Sequence, residues 1–221
     1  MLCHDIQSQI SVNLFRTPPF LPWLYPTLTW RIETSAKEIY LTFDDGPVSG
    51  PTEFALEVLQ KSKAQATFFC IGNNIVNHPS VFRRVVQGGH IIGNHTFHHL
   101  SGWKTSTQIY LDNVKLCEDQ IHGQDQSSGI KSLFRPPYGR ITRRQIKSLK
   151  GHKIVMWDVL THDYAQSLSP DYCLRGALRA ARPGSIVVFH DSHKAEKNMM
   201  YVLPRFIDQL AGLGYTFKSL L

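Results

Sequence analysis

Two adjacent carboxylates, Asp44 and Asp45, end an alternating apolar run that predicts a strand over residues 38–43. Gly46 and Pro47 follow them, and both residue types end strands and favour turns. An ordinary turn explains an isolated Asp-Asp-Gly-Pro sequence. Neighbouring carboxylates can also divide two tasks, since one can ligate a cation while the other accepts a proton. The remaining polar residues decide between these interpretations.

A histidine-rich stretch, His95-Thr-Phe-His-His99, supplies a second group of reactive side chains. Its i, i+4 spacing puts two imidazoles on one face of a helical turn, which is a common arrangement of metal ligands. Histidines also occur in ordinary loops, so the pair alone is a weak signal. One aspartate added to the two histidines makes three ligands and leaves a position open, as in catalytic zinc sites. His98 is expected to point elsewhere.

The elements that would position these residues alternate along the chain from residue 38. Strands are predicted over 38–43, 66–71, 90–93, 132–135, 153–159, 185–190 and 215–219. Helices are predicted over 52–62, 79–87, 105–122, 142–150, 170–181 and 199–212. Apolar strands in this pattern predict a parallel α/β sheet, either open and doubly wound or closed as a barrel. An eight-fold barrel typically needs about 250 residues, so we expect a distorted, incomplete (β/α) barrel of about seven strands.

Unusual polar residues follow five of these strands. They are Asp44 and Asp45, His95 and His99, Arg135, Asp158 and Asp163, and His190 and Asp191. Functional side chains of α/β barrels lie at the carboxyl ends of the strands. The five groups are therefore expected to gather at one rim.

Composition limits the classes of function. A chain of 221 residues with 42% hydrophobic residues can form one domain with a full core. The net charge of +7 favours acidic partners, but the basic residues are spread out, and the densest group, at 143–153, fits a solvated helix face. Basic and aromatic residues do not alternate as in nucleic-acid readers, so no nucleic-acid partner is expected.

The sequence says less about the cellular location of the protein and about the redox state of its cysteines. No apolar stretch approaches the roughly 18 residues of a membrane helix, and no signal peptide is visible, so a cytoplasmic location is expected unless another export route exists. The four cysteines include no Cys-x-x-Cys pair, so a thiolate zinc site is not expected. Cys70, Cys117 and Cys173 are predicted to be small buried side chains.

Residues 1–37 form an irregular segment rich in proline and aromatic residues. Its prolines, at 18, 19, 22 and 26, are expected to prevent a regular helix over 18–26. Its aromatic content is too high for a free tail, so we expect a strap against a catalytic domain formed by residues 38–221.

Five motifs together resemble the NodB-homology polysaccharide deacetylases, carbohydrate esterase family 4. They are Thr42-Phe-Asp-Asp-Gly-Pro47, His95-Thr-x-x-His99, Arg135-Pro-Pro-Tyr-Gly139, Trp157-x5-Asp163-Tyr164 and Val188-x-His190. They occur in the family's order over about residues 38–219. The family fold is a distorted (β/α) barrel, in agreement with the pattern of elements.

The resemblance implies roles for the matching positions. The catalytic positions are Asp44 as the base, Arg135 as its brace, Tyr138 as a backbone oxyanion donor, His190 as the acid and Asp163 as the carboxylate that orients it. The metal ligands are Asp45, His95 and His99. Zinc fits this set best, with cobalt, nickel or manganese as alternatives.

Three further positions would bind the substrate: Pro136, Tyr164 and Val188. Two of them depart from the family, which usually has Trp in place of Tyr164 and Leu in place of Val188. The implied function is metal-dependent removal of acetate from N-acetylated sugars in a peptidoglycan- or chitin-type glycan. The alternatives are an O-acetyl or non-glycan deacylase of the same chemistry and a catalytically silent glycan-binding relative.

Overall fold

Eight short strands form one parallel sheet in the computed structural model, which describes residues 14–124 and 132–220. The strands are β1 (Glu38–Asp44), β2 (Thr67–Cys70), β3 (Ile91–Asn94), β4 (Leu133–Phe134), β5 (Lys153–Ile154), β6 (Val159–Leu160), β7 (Ile186–His190) and β8 (Thr216–Lys218). Their order is β5-β4-β3-β2-β1-β7-β6, and β8 pairs with the start of β1. The predicted α/β class and the distorted barrel are confirmed.

Eight helices connect these strands or precede them. They are α1 (Phe20–Leu24), α2 (Pro51–Lys61), α3 (Gly72–Asn77), α4 (Pro79–Gln87), α5 (Thr107–Gln124), α6 (Arg143–Ser148), α7 (Pro170–Ala180) and α8 (Glu196–Gly212). The predicted helices correspond to α2 and α4–α8, whereas α3 was missed. Ser169 caps α7 by accepting from the Tyr172 N–H, and Ser106 accepts from the Ile109 N–H at the start of α5. Helix α8 runs without a break through Pro204.

The single strand predicted over 153–159 is split into β5 and β6, because the chain crosses there from one edge of the sheet to the other. β5 pairs with β4, whereas β6 pairs with β7. The Val155 N–H donates to Phe134 O at 2.8 Å, and the Asp158 N–H donates to Ile186 O at 3.0 Å. Residues 155–158 therefore join the two edges and form the seam of the distorted barrel.

The N-terminal segment lies along this seam. Arg16 forms an antiparallel bridge with Val159, and Thr29 forms a parallel bridge with Val155. The Met156 N–H also donates to Thr29 O at 2.7 Å. The N-terminal segment thus provides backbone hydrogen-bond partners for the seam. The strands of the sheet pair with the seam only at its two ends. The assignment of residues 1–37 and 38–221 as separate regions stays a prediction.

The expectation of no helix over 18–26 was wrong, since α1 occupies residues 20–24. Pro19 is its N-cap, and Pro22 lies in its first turn. The N–H groups of a first helical turn have no partner within the helix, so proline is tolerated there. The short helix exposes Phe20 and Trp23 at its surface.

Stacked aromatic side chains on the central strands hold the sheet in register. The ring centroid of Phe43 lies 4.7 Å from that of Phe68 and 5.8 Å from that of Phe189. The resulting register puts Asp44 of β1 directly beside His190 of β7. Two groups distant in sequence are thereby neighbours at the carboxyl end of the sheet.

The predicted burial of Cys70, Cys117 and Cys173 is confirmed, and all three are free thiols. Cys3 lies outside the described residues. None of the described helices has the length and apolarity needed to span a bilayer.

Packing of the N-terminal segment can be tested with two tryptophans. Trp30 is 8% exposed within an apolar cluster and Trp23 is 81% exposed. We expect Trp30→Ala to lower the free energy of unfolding by about 3 to 5 kcal/mol and Trp23→Ala to change it by about 0.5 kcal/mol or less. Urea unfolding followed by circular dichroism measures both, and equal effects would contradict the packing of this segment.

Candidate active site

One cavity of about 630 Å³ opens at the carboxyl ends of the strands. Nine of the eleven predicted site residues line it: Asp44, Asp45, His95, His99, Pro136, Tyr138, Tyr164, Val188 and His190. The other two, Arg135 and Asp163, are fully buried behind the wall and contact Asp44 and His190. Residues from five motifs therefore form one site.

Three potential metal ligands converge within this cavity. One carboxylate oxygen of Asp45 lies 3.2 Å from His99 Nε2 and 3.7 Å from His95 Nε2. One donor atom from each residue lies within 4.8 Å of the others. His95 Nδ1 is 2.8 Å from Arg135 O, which can only accept, so Nδ1 carries the proton and the Nε2 lone pair faces Asp45. A backbone partner of this kind orients ligating histidines in metal sites.

The electrostatics of the cluster suit a cation. Burial lowers the pKa of His95 to about 4. Burial alone would raise the pKa of Asp45, but a hydrogen bond from His99 and the nearby charges of the histidines, including His190, lower it well below its usual range. At neutral pH the buried imidazole is neutral and the carboxylate is ionised, which are the protonation states that metal binding requires.

Asp44 is held by the most deeply buried cation of the described residues. Arg135 Nη1 donates to Asp44 Oδ1 at 2.7 Å and to Thr42 Oγ1 at 2.8 Å. Its other nitrogens donate to the seam carbonyls of Val155 at 3.2 Å and Met156 at 2.9 Å. The guanidinium is therefore fixed from two sides, and a buried charge bonded in this way can be tolerated.

His190 is paired with a buried carboxylate. Asp163 Oδ1 accepts from His190 Nδ1 at 2.7 Å, and Asp163 Oδ2 accepts from the His190 backbone N–H at 2.8 Å. Burial alone would lower the pKa of His190, but the charge and hydrogen bond of Asp163 outweigh it and raise the pKa to about 9. The imidazole is thus protonated at neutral pH, with Nε2 as its second donor.

The loop after β1 has supports that the sequence did not reveal. Asp191 accepts from the Gly46 N–H at 3.0 Å and from the Thr52 hydroxyl at 2.6 Å. A Cβ on Gly46 would lie 2.0 Å from this carboxylate, so only glycine fits there. Asn74 of the missed helix α3 donates to Asp45 O at 2.7 Å. The sequence placed Asp191 at the rim but contained no signal for these contacts.

Two other residues of the sequence analysis lie outside the cavity. Asp158, which we grouped with the rim, accepts two hydrogen bonds from Arg182, at 3.0 and 2.8 Å, and one from Ser185 at 2.7 Å. This pair supports the turn before β7. His98 faces Asn113, with its Nδ1 2.9 Å from Asn113 Nδ2, and so points away from the cluster as expected.

Several rim residues have a backbone conformation that is rare for side chains other than glycine. Positive φ angles among the described non-glycine residues occur at Asp45, Lys63, Thr96, His99, Tyr138 and His162. Three of them, Asp45, His99 and Tyr138, line the cavity. Backbone strain of this kind is typical of functional sites, where the surrounding structure maintains it.

Comparison with known proteins agrees with this geometry. A sequence profile described as "Polysaccharide deacetylase" matches residues 31–157. The chain is 34% identical over 194 residues to the peptidoglycan-N-acetylmuramic acid deacetylase PdaA of Bacillus subtilis, covering 85% of this chain and 71% of that protein. It is 30% identical over 184 residues to the peptidoglycan-N-acetylglucosamine deacetylase PgdA of Listeria monocytogenes, covering 83% of this chain. That alignment spans only 38% of PgdA.

The fold has a close counterpart among solved structures. The crystal structure of the Bc1960 peptidoglycan N-acetylglucosamine deacetylase superimposes with a TM-score of 0.83 at 29% identity, covering 92% of this chain and 95% of that one. The fold is the distorted (β/α) barrel of these deacetylase structures. The chain belongs to the polysaccharide deacetylase family, carbohydrate esterase family 4, as the five motifs predicted.

The contribution of the buried Asp44–Arg135 pair to the free energy of unfolding can be measured by substitution. Arg135→Met leaves the Asp44 carboxylate buried without its cation, so we expect the free energy of unfolding to fall by about 3 to 5 kcal/mol. The exposed Arg205→Met is the matched control and should cost about 0.5 kcal/mol or less. In an Asp44→Asn background the cost of Arg135→Met should shrink, because the unpaired charge is gone. Equal costs in urea unfolding for Arg135→Met and Arg205→Met would contradict the buried pair.

Proposed function

We propose that this protein is a metal-dependent hydrolase that removes acetyl groups from N-acetylated amino sugars of a peptidoglycan- or chitin-type polysaccharide. The observation that carries the proposal is the convergence in one cavity of an Asp-His-His donor set with two buried acid–base pairs. The names of the relatives PdaA and PgdA, both peptidoglycan deacetylases, support the substrate class.

Asp45, His95 and His99 would hold the cation. Their mixed oxygen and nitrogen donors, the neutral His95 and the ionised Asp45 fit zinc best, and they also suit cobalt, nickel or manganese. When bound, the cation supplies Lewis-acid polarisation of the acetyl carbonyl and lowers the pKa of an adjacent water molecule.

Asp44 is the general base in this proposal. Its carboxylate lies at the cavity wall, where it accepts the proton of the water that attacks the acetyl carbon. Arg135 holds one carboxylate oxygen at 2.7 Å and compensates its charge, which keeps the other oxygen available. The backbone N–H of Tyr138 donates to the developing oxyanion, and such donors contribute about 3 to 4 kcal/mol.

His190 is the general acid. Its Nε2 proton is transferred to the sugar nitrogen as the amide C–N bond breaks, so acetate leaves and the sugar keeps a free amine. Asp163 fixes the ring through Nδ1 and stabilises the protonated imidazole. Pro136, Tyr164 and Val188 line the same cavity and are proposed to contact the acetyl group and the sugar.

Acetate release from a short N-acetylglucosamine oligomer tests the reaction. We expect release to stop after chelation and to return when zinc is added. Asp44→Asn should retain the metal but lower kcat by about 10²- to 10⁴-fold, whereas His95→Ala should lose both metal and activity. His98→Ala, which alters a histidine outside the cavity, is the matched control and should retain both.

Two results would contradict this proposal. Full activity of Asp44→Asn would exclude Asp44 as the base. Metal retention without acetate release from any N-acetylated oligomer would exclude the reaction, and release from acetylated xylan instead would indicate an O-acetyl substrate.

The pH dependence tests the His190–Asp163 pair. Because the acid must be protonated, we expect activity to decline on the alkaline side near pH 9. Asp163→Asn removes the main charge that raises the pKa of His190, so this limb should move to lower pH. Exposed Asp208→Asn is the control and should leave the limb in place.

The same pair predicts a stability difference with a definite sign. A histidine whose pKa rises from 6.5 to about 9 on folding stabilises the fold fully below pH 6.5, and this contribution disappears as the pH rises through 9. Asp163→Asn should therefore cost more stability at pH 6 than at pH 10. An equal cost at both pH values would argue against a raised pKa of His190.

A further inference from the structure

A second cavity, of about 460 Å³, lies beside the first. The N-terminal segment forms one wall of it, from Leu14 to Trp30, and residues of the seam, together with others that precede the seam in the chain, form the other. Tyr138 and Trp157 line both cavities, so the second cavity adjoins the candidate active site. Its volume lies within the range of about 300 to 1,000 Å³ that is typical of ligand sites.

The lining of this second cavity is apolar. Leu21, Leu24 and Leu28 lie on its N-terminal wall, opposite Ile141 and Met156. Side chains of this kind give no hydrogen-bond partner to a hydroxyl group, and burying an unpaired hydroxyl is unfavourable.

Three polar groups at this lining are hydrogen-bonded within the protein. The Thr17 hydroxyl donates to Trp157 O at 2.7 Å. The indole N–H groups of Trp30 and Trp103 donate to the backbone carbonyls of Tyr25 at 3.2 Å and Ile141 at 3.1 Å. The apolar side chains between these groups suit an apolar chain.

Cationic side chains stand at its rim. The guanidinium carbon of Arg140 lies 5.5 Å from the ring centre of Trp103 and 5.8 Å from that of Tyr138. Arg140 also lines the first cavity, and Arg143 lies 6.0 Å from the ring of Tyr25. A polar rim between an apolar cavity and the candidate catalytic site suits a molecule that joins a sugar to an apolar chain.

This wall lies before the residues that the family profile matches. The family profile begins at residue 31, whereas Leu21, Leu24 and Leu28 precede it. The cavity is thus formed between the matched region and a segment outside it.

We propose that the second cavity binds an apolar chain attached to the N-acetylated sugar, so that an amphiphilic glycoside is a substrate of the site. This inference rests on the proposed function, because the sugar end of the molecule would be the part that is deacetylated. The chain enters past Tyr138 and Trp157 while the acetyl group faces His190 and the metal ligands.

The test uses methyl, butyl, hexyl and octyl N-acetyl-β-glucosaminides, each below its micelle concentration, with the zinc-loaded full-length protein. We expect KM to fall roughly threefold to fourfold for each methylene that enters the cavity, because each is withdrawn from water. The decrease should end when the cavity is filled, and kcat should change little, since the chain lies away from the reacting bond.

A variant assigns the effect to this cavity. Leu24→Asp places a charge at a half-exposed position of the wall, so it should abolish the chain-length dependence while leaving kcat/KM for the methyl glycoside unchanged. Leu213→Asp, on an exposed leucine after α8, is the matched control and should retain the dependence. Circular dichroism checks that both variants fold.

Each outcome decides between the proposals. A KM that does not change along the series would overturn the chain-binding proposal and leave the deacetylation intact. A dependence that persists in Leu24→Asp would place the chain elsewhere and also overturn it. Absence of acetate from every glycoside and from N-acetylglucosamine oligomers would overturn the proposed function and this inference together.

Discussion

The buried guanidinium of Arg135 is the interaction on which both the site and the closure of the sheet depend. It bonds Asp44 on one side and the carbonyls of Val155 and Met156 on the other. An unpaired charge at this depth would be strongly destabilising, so the chain must supply every partner. The seam that joins the sheet edges therefore also supports, through Arg135, the carboxylate proposed as the base. The same contacts of Arg135 thus serve both the stability of the fold and the proposed chemistry.

The two adjacent aspartates differ because their surroundings differ. Asp44 faces a buried arginine, whereas Asp45 faces histidines and has a positive φ that turns it into the cavity. Asp191 holds the loop between them and α2 through Gly46. The different roles proposed for these chemically identical neighbours rest on backbone conformation and on the groups packed on each side.

The N-terminal segment links the seam to the surface. Its residues pair with both sides of residues 155–159 and then form the wall of an apolar cavity next to the candidate catalytic one. Tyr138 and Trp157 line both cavities, so a molecule bound in either cavity can contact residues that also line the other. The segment is therefore part of the fold and, in our proposal, one wall of the cavity that binds the apolar chain of the substrate.

The sequence by itself determined the alternation of strands and helices and the family, and it predicted eleven candidate site residues that the structure brings together, because apolar periodicity and motif spacing are local properties of the chain. Tertiary structure decided the rest. The split of residues 153–159, the support of Gly46 by Asp191 and the pairing of Asp158 with Arg182 depend on contacts between distant residues. Helix α1 and the second cavity required the same information. Proline content predicts local backbone freedom, whereas only the folded seam shows what a segment packs against.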